Sequence, residues 1–163
     1  MKYSTFNTDD IMSWKPCAAW CREDITSGLG VGWSGTVIDV LNSLMASDGK
    51  IWVVLMSGDL SDAILEEFSE SCKEHSPAPG RKYKETVADV WKASIGKEIS
   101  VEQERAFAYS FCAVSFCMGN SDNRPLPLSE DDHARRKIER IAKKEAETNW
   151  QVSKLLTILS ENE

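Results

Sequence analysis

Ile51-Trp-Val-Val-Leu-Met56, introduced by Asp48-Gly49, decides whether this chain is all-helical or contains a sheet. β-branched and aromatic residues suit a strand. A strand needs a partner, however, and no other segment reads clearly as β. The apolar residues on either side recur at three- and four-residue intervals, which is the period of an amphipathic helix. The run is therefore expected to be a short buried helix, with Asp48-Gly49 as the turn before it.

Upstream, Thr36 to Ala46 carries Val37, Val40, Leu41 and Leu44 at helical spacing. Gly28-Leu-Gly-Val-Gly-Trp-Ser-Gly35 has four glycines in eight residues and reads as a loop, because glycine at that density costs too much backbone entropy in a helix. Pro16 suits the first position of a helix carrying Cys17, Trp20 and Cys21. Thr8 is expected to cap a first turn through Asp9, Asp10 and Ile11.

Downstream, Ser61 is a helix cap, with Leu60 and Leu65 placed for a hydrophobic staple. Ile64, Leu65, Phe68 and Cys72 share the apolar face that follows, and Pro77 to Gly80 ends the helix. The next helix uses Tyr83, Val87, Val90, Trp91 and Ile95 and stops at Gly96. Ser100 with Gln103 forms a capping-box pattern. It opens a helix apolar almost all round, with Phe107, Ala108, Phe111, Cys112, Val114, Phe116 and Met118, which is expected to be the central buried one. Ser129, followed by Glu130, Asp131 and Asp132, starts a last helix that runs nearly to Ser160. The expected fold is an all-α compact bundle of seven or eight helices with a long charged C-terminal helix. It divides into a helical body over 1–119, a Pro-containing loop over 120–128 and the C-terminal helix over 129–163, in a single domain.

The chain has 163 residues, with 19 Lys and Arg against 26 Asp and Glu, a formal net charge of -7. That excess of acid argues against a protein coated with nucleic acid, although a local basic patch fits within it. The N-terminus has no apolar h-region, and the run from Phe107 to Met118 is shorter than the roughly 20 residues of a membrane span. A cytoplasmic protein without membrane contact is expected. Five cysteines cannot all pair with one another, and in a reducing cytosol all five are expected as thiols.

The order of motifs carries a resemblance. Trp14, Pro16-Cys17, Trp20 and the Trp52-containing turn come first. Leu60-Ser-Asp62, Leu65, Phe68, Cys72, Pro77, Val87 and Trp91 follow, then Gly96-Lys-Glu-Ile-Ser100 and an alanine- and aromatic-rich helix. Over roughly residues 8 to 118 the chain resembles a widespread group of helical proteins from bacteriophages and bacterial genomes, some of them labelled as immunity proteins. The resemblance implies a phage or mobile-element setting, and host cytoplasm as the place of action. It brings no catalytic residues, because the shared positions are apolar or end helices.

Candidate chemistry is sparse. Cys17, Cys21, Cys72 and His75 have the residue types of a zinc site, but they lack the two-residue gaps and neighbouring glycines of zinc knuckles, so no metal is expected. Cys72 with His75 is the only local thiol–imidazole pair, and His133 sits in a solvated helix start. The glycine run lacks the Gly-Lys-Ser/Thr ending of a phosphate loop. Cys112 and Cys117 fall on different faces and read as core filler. No cofactor and no catalysis are expected.

The last helix is the most unusual segment. Arg135, Arg136, Lys137, Arg140, Lys143 and Lys144 place six cations within ten residues, partly balanced by Glu139, Glu145 and Glu147. An ordinary solvated helix face is the favoured reading of such a run; the other is a patch for an anionic partner, a nucleic-acid backbone or an acidic protein surface. Trp150, Val152, Leu155, Leu156 and Leu159 supply an apolar stripe for packing on the body or on a second copy. Trp33 and Trp150 are candidate partner anchors, because tryptophan dominates interface hot spots, although closing over the core is the more common role. The expected function is a non-enzymatic phage or mobile-element protein that binds and inhibits a host defence protein or protein–nucleic-acid complex, in the manner of counter-defence and anti-CRISPR inhibitors. Two alternatives stand beside it: a nucleic-acid-associated protein using the basic helix, and an enzyme or metal protein using Cys72 and His75.

Overall fold

The computed structural model describes residues 3–16, 21–75, 99–119 and 130–162. Seven helices lie among them: α1 (Thr8–Ser13), α2 (Arg22–Leu29), α3 (Val37–Asn42), α4 (Ser47–Ser57), α5 (Asp62–His75), α6 (Val101–Gly119) and α7 (Glu130–Glu161). β1 (Phe6–Asn7) and β2 (Ser34–Gly35) form a two-residue antiparallel ladder, with Phe6 opposite Gly35 and Asn7 opposite Ser34. The architecture is all-α. No described helix is long and apolar enough to cross a membrane. The helix expected from Tyr83 to Ile95, the loop over 120–128, Cys17, Trp20 and Ser129 lie outside the described residues.

The deciding stretch is helical. Every residue from Ile51 to Met56 is buried, so α4 has no polar face. Such a helix is stable only when other elements surround it. α3, α6 and α7 pack around it. Asp48-Gly49 is not a turn but the first turn of α4, where the carboxylate meets the positive end of the helix dipole. Gly58, left-handed at φ 79° and ψ 10°, closes it. The central buried helix is thus α4 and not α6, as the pattern had implied. α6 buries Ala106, Phe107, Cys112 and Ala113 but leaves Phe111 43% exposed.

Pairings along α7 set the directions of its neighbours. Ser110 bonds Gln151, and Cys117 reaches Glu147, so α6 runs antiparallel to α7. Glu67 lies near Lys154, and His75 near Glu147, so α5 is antiparallel to α7 as well. α5 and α6 therefore run parallel to each other. At the start of α6 the Ser100–Gln103 capping box is formed, with Ser100 N–H donating to Gln103 Oε1 at 2.8 Å and Gln103 N–H to Ser100 Oγ at 3.1 Å. Gln103 Nε2 also donates to the Leu55 carbonyl at 2.7 Å, tying α6 to the end of α4. Ser61 caps α5, with Leu60 and Leu65 both buried.

Several boundaries differ from the expected ones. Asn7, not Thr8, caps α1: its Oδ1 accepts from Asp9 N–H at 2.7 Å, and Asp10 Oδ2 accepts from Asn7 N–H. Asn one residue earlier with Asp at the third position completes the reciprocal box, which Thr8 cannot. Pro16 and Cys21 are not helical, and residues 17–20 between them lie outside the described residues. Lys15 turns into the left-handed region at φ 55°, and the second helix begins at Arg22 behind a Cys21 cap. α3 ends at Asn42 because the Ser43 hydroxyl takes over, donating to the Val40 carbonyl and accepting from Met45 N–H. Leu44 is left outside the core at 93% exposure.

The glycine run is only partly a loop. Gly28 and Leu29 complete α2, and Gly28 accepts from Leu44 N–H at 3.2 Å. A Cβ at Gly28 would lie 2.7 Å from Met45 Cα, so glycine is required by backbone approach rather than by a turn. On an exposed helix, Gly→Ala gains about 1 kcal/mol. Here Gly28→Ala is expected to lose about 1–3 kcal/mol, because the contact is with backbone that cannot move aside. Urea denaturation checks this; a more stable variant would mean that residues 43–45 do not pack on α2.

Candidate functional site

Three helices each bring one end to the same level of α7. The start of α4 meets it where Lys144 Nζ contacts Asp48 Oδ2 at 2.5 Å. The end of α5 meets it at Glu147, whose Oε2 is 3.1 Å from His75 Nδ1. The end of α6 meets it at the same carboxylate, 3.7 Å from Cys117 Sγ. α7 spans about 48 Å and α6 about 28 Å at the helical rise of 1.5 Å per residue. Residues 130–143 of α7 therefore extend past the described helices.

Glu147 is the hub of this boundary. It is 5% exposed, and a buried carboxylate needs hydrogen-bond donors. Gln151 Nε2 donates to its Oε1 at 2.9 Å and to the Ser110 carbonyl at 3.1 Å. Gln151 Oε1 in turn accepts from Ser110 Oγ at 2.6 Å. The His75 ring stacks on Trp150 with centroids 3.6 Å apart.

The contacts of His75 are with α7. His75 is engaged by Glu147 and Trp150. Cys72 is fully buried, and burial together with the Glu147 charge pushes its thiol far above the ordinary range. A thiol held protonated is a poor nucleophile and a poor metal ligand. Cys21 lies exposed on the cap of α2, where its thiol donates to Asp24 Oδ2 at 2.9 Å. Among the described residues no group of three or more His, Cys, Asp or Glu is placed to hold a metal ion. Cys112 is core filler, as its spacing implied. Cys117 is not: it is half-buried against Glu147, and burial followed by that carboxylate raises its thiol.

The candidate partner residues fall into two sets. Trp33 packs edge-on against Phe6 at 5.5 Å, and Phe6 stacks on through Trp14 to Trp52. Trp33 thus closes over the core, and Trp150 covers His75; both are half-buried by contacts within the chain. The cations behave differently. Lys144 is bound to Asp48, and Arg135 pairs with Asp132 one turn away at 3.2 Å. Arg136 is half-buried, while Lys137, Arg140 and Lys143 are exposed. His133 is exposed near the start of the same helix.

A repeating seam on α7 and a cleft beside it complete this region. Ile138, Ile141, Glu145, Thr148, Val152, Leu155 and Leu159 recur at alternating three- and four-residue spacing along α7. From Thr148 on this seam is buried, whereas Ile138 is 67% exposed and Ile141 48%. Beside it, between α4, α6 and α7, lies a mainly apolar cleft of about 410 Å³. Ile51, Trp52, Phe107, Phe111, Val114 and Met118 form its apolar walls; Ser110 and Gln151 line it too, and Lys144 with Asp48 stands at one side. The chain matches no protein-family model, no curated protein and no solved structure.

The Glu147 charge has a chemical consequence. It raises the Cys117 thiol, so replacing it by Gln removes one raising cause and lowers the thiol toward its ordinary value. A lower thiol value means more thiolate at a given pH. Glu147→Gln is expected to alkylate faster at Cys117 with iodoacetamide at pH 8 than the parent protein, as peptide mass spectrometry would read. An unchanged rate in a folded variant would mean that the carboxylate does not reach the thiol.

Proposed function

We propose that this protein works by binding a partner macromolecule and occluding its surface, without chemistry of its own. The observation that carries this reading is the first half of α7. Residues 130–143 reach past the described helices, present Lys137 and Lys143 to solvent, and expose Ile138 and Ile141 between them. Apolar side chains flanked by charge on a preformed helix are the features of a docking surface. The sealed, protonated Cys72 thiol argues in the same direction, because it removes the best nucleophile candidate.

The motif resemblance supplies the setting. A phage or mobile-element protein acting in a host cytoplasm finds its partners among host proteins and protein–nucleic-acid complexes. Inhibition of a host defence protein is the role that a small binder without catalytic groups fills there. The acidic whole, at a net charge of -7, suits a competitor for a cationic nucleic-acid site, since it offers the same sign of charge. The basic helix would then orient the protein on an anionic neighbour.

Lys137 and Lys143 are the residues to change. Both are exposed, and substitutions at such positions shift stability by about 0.5 kcal/mol or less. Reversing Lys144 as well would break its pairing with Asp48 and confound the result. The double variant Lys137→Glu, Lys143→Glu is expected to keep its melting temperature and to lose the partner that the tagged parent protein captures from host-cell extract. Equal capture by the two proteins would overturn the role given to α7.

A further inference from the structure

We infer that the partner element seated on α7 is an acidic amphipathic helix, which lies along Ile138 and Ile141 and places an apolar side chain in the cleft beside Lys144. This deepens the docking reading above and rests on it.

The seam of α7 shows what surface it accepts. At Thr148, Val152, Leu155 and Leu159 it is buried against helices of the body. At Ile138 and Ile141 the same alternating spacing continues with the side chains exposed. A surface repeating every three and four residues fits the side chains of another helix, which recur with that period. A phosphate backbone offers nothing to two isoleucines, and the apolar cleft walls of Trp52, Phe107 and Phe111 serve it no better.

Charge selects the kind of helix. Among the cations of residues 133–144, Lys144 is paired with Asp48 and Arg135 with Asp132, while Lys137 and Lys143 are exposed. At the places where paired helices match charges, Lys137 beside Ile138 is exposed, while Arg135 and Lys144 already pair with Asp132 and Asp48. A second copy laid on this stretch would oppose cation to cation. Glutamates flanking the apolar stripe of a different protein would complement it.

The cleft supplies the anchor point. Ile141, Lys144 and Thr148 succeed one another at three- and four-residue steps, and Lys144 and Thr148 line the cleft. A helix following the seam from Ile138 toward the body therefore arrives at its opening. A pocket of about 410 Å³ accommodates a leucine, methionine or aromatic side chain, with the Asp48–Lys144 pair as a polar rim.

The test uses the full chain and a fluorescein-labelled three-heptad peptide with leucines at alternating three- and four-residue spacing and flanking glutamates. Controls are a scrambled peptide of the same composition, a peptide with lysine flanks and a DNA duplex. Fluorescence anisotropy is expected to show binding of the glutamate-flanked peptide alone, weakening as salt rises. Ile138→Asp and Ile141→Asp are expected to weaken it roughly tenfold each at unchanged melting temperature. Phe111→Ala, at a partly exposed cleft wall, should also reduce affinity.

Equal binding of the scrambled peptide would overturn the inference, as would preference for DNA or indifference to Ile138→Asp and Ile141→Asp. A dimer of the parent protein in sedimentation, dissolved by Ile141→Asp, would also overturn it by assigning the seam to a second copy. Loss of captured partner by Lys137→Glu, Lys143→Glu combined with no peptide binding would leave the docking reading standing and remove only the acidic helix. Full capture by that double variant would remove the docking reading itself.

Discussion

Ile51 to Met56 have no polar side to show to water, and the rest of the molecule is arranged to hide them. A helix with one apolar stripe can rest on a single neighbour, but α4 must be covered on every side. α3, α6 and α7 supply that cover, and each brings its own apolar residues. Each side chain of that run gains about 1.5–3 kcal/mol from burial, which is large against a net stability of about 5–15 kcal/mol for a domain. The polar bonds at the ends of α4 follow from the same need. Gln103 satisfies the Leu55 carbonyl, and the Asp48–Lys144 pair sets where α7 crosses the start of the helix.

The second constraint is a buried carboxylate. Glu147 sits where apolar packing would be easier, and it is kept by donors from three helices: Gln151 on α7, Cys117 on α6 and His75 on α5. Breaking such a network costs more than it returns when formed, because a carboxylate left unpaired in the interior loses its solvation. The network fixes the level at which the three helices meet. It separates the half of α7 that belongs to the core from the half that extends beyond it.

Much of this was legible in the sequence where one local rule governs. The Ser61 and Ser100 caps, the helical reading of Ile51–Met56 and the long last helix rest on capping chemistry and periodicity, and the structure agrees with them. The differences arise where tertiary contact outweighs local preference. Gly28 resembles loop glycine but faces Met45, and Leu44 fits the helical period yet falls after the Ser43 stop. α6 looks fully apolar, but its Phe111 edge borders a cleft instead of a neighbour. Glu147 was counted among the charges balancing the basic stretch. Only Gln151, one turn on, is a local partner; Cys117 and His75 lie 30 and 72 residues away. The cations of the last helix were legible as residues. Their division into Lys144 bound to Asp48 and Lys137 facing solvent was not, since it depends on where α4 starts.

The continuity of α7 explains how a solvated stretch can serve as a surface. Nucleating an isolated helix fixes several residues for one hydrogen bond, so a charged segment the length of residues 130–143 would be marginal alone. Here Val152, Leu155, Ile158 and Leu159 anchor the same helix in the core, and extension toward its N-terminus requires only propagation. Asp131 and Asp132 near that end favour it further through the helix dipole, and the Asp132–Arg135 pair adds a contact one turn apart. Ile138 and Ile141 are thereby presented at fixed spacing before any partner arrives. A partner meeting a helix already formed does not have to offset its ordering, which leaves more of the contact energy for affinity. The buried half of α7 thus has two roles, as the cover of α4 and as the template that holds in shape the half running past the described helices.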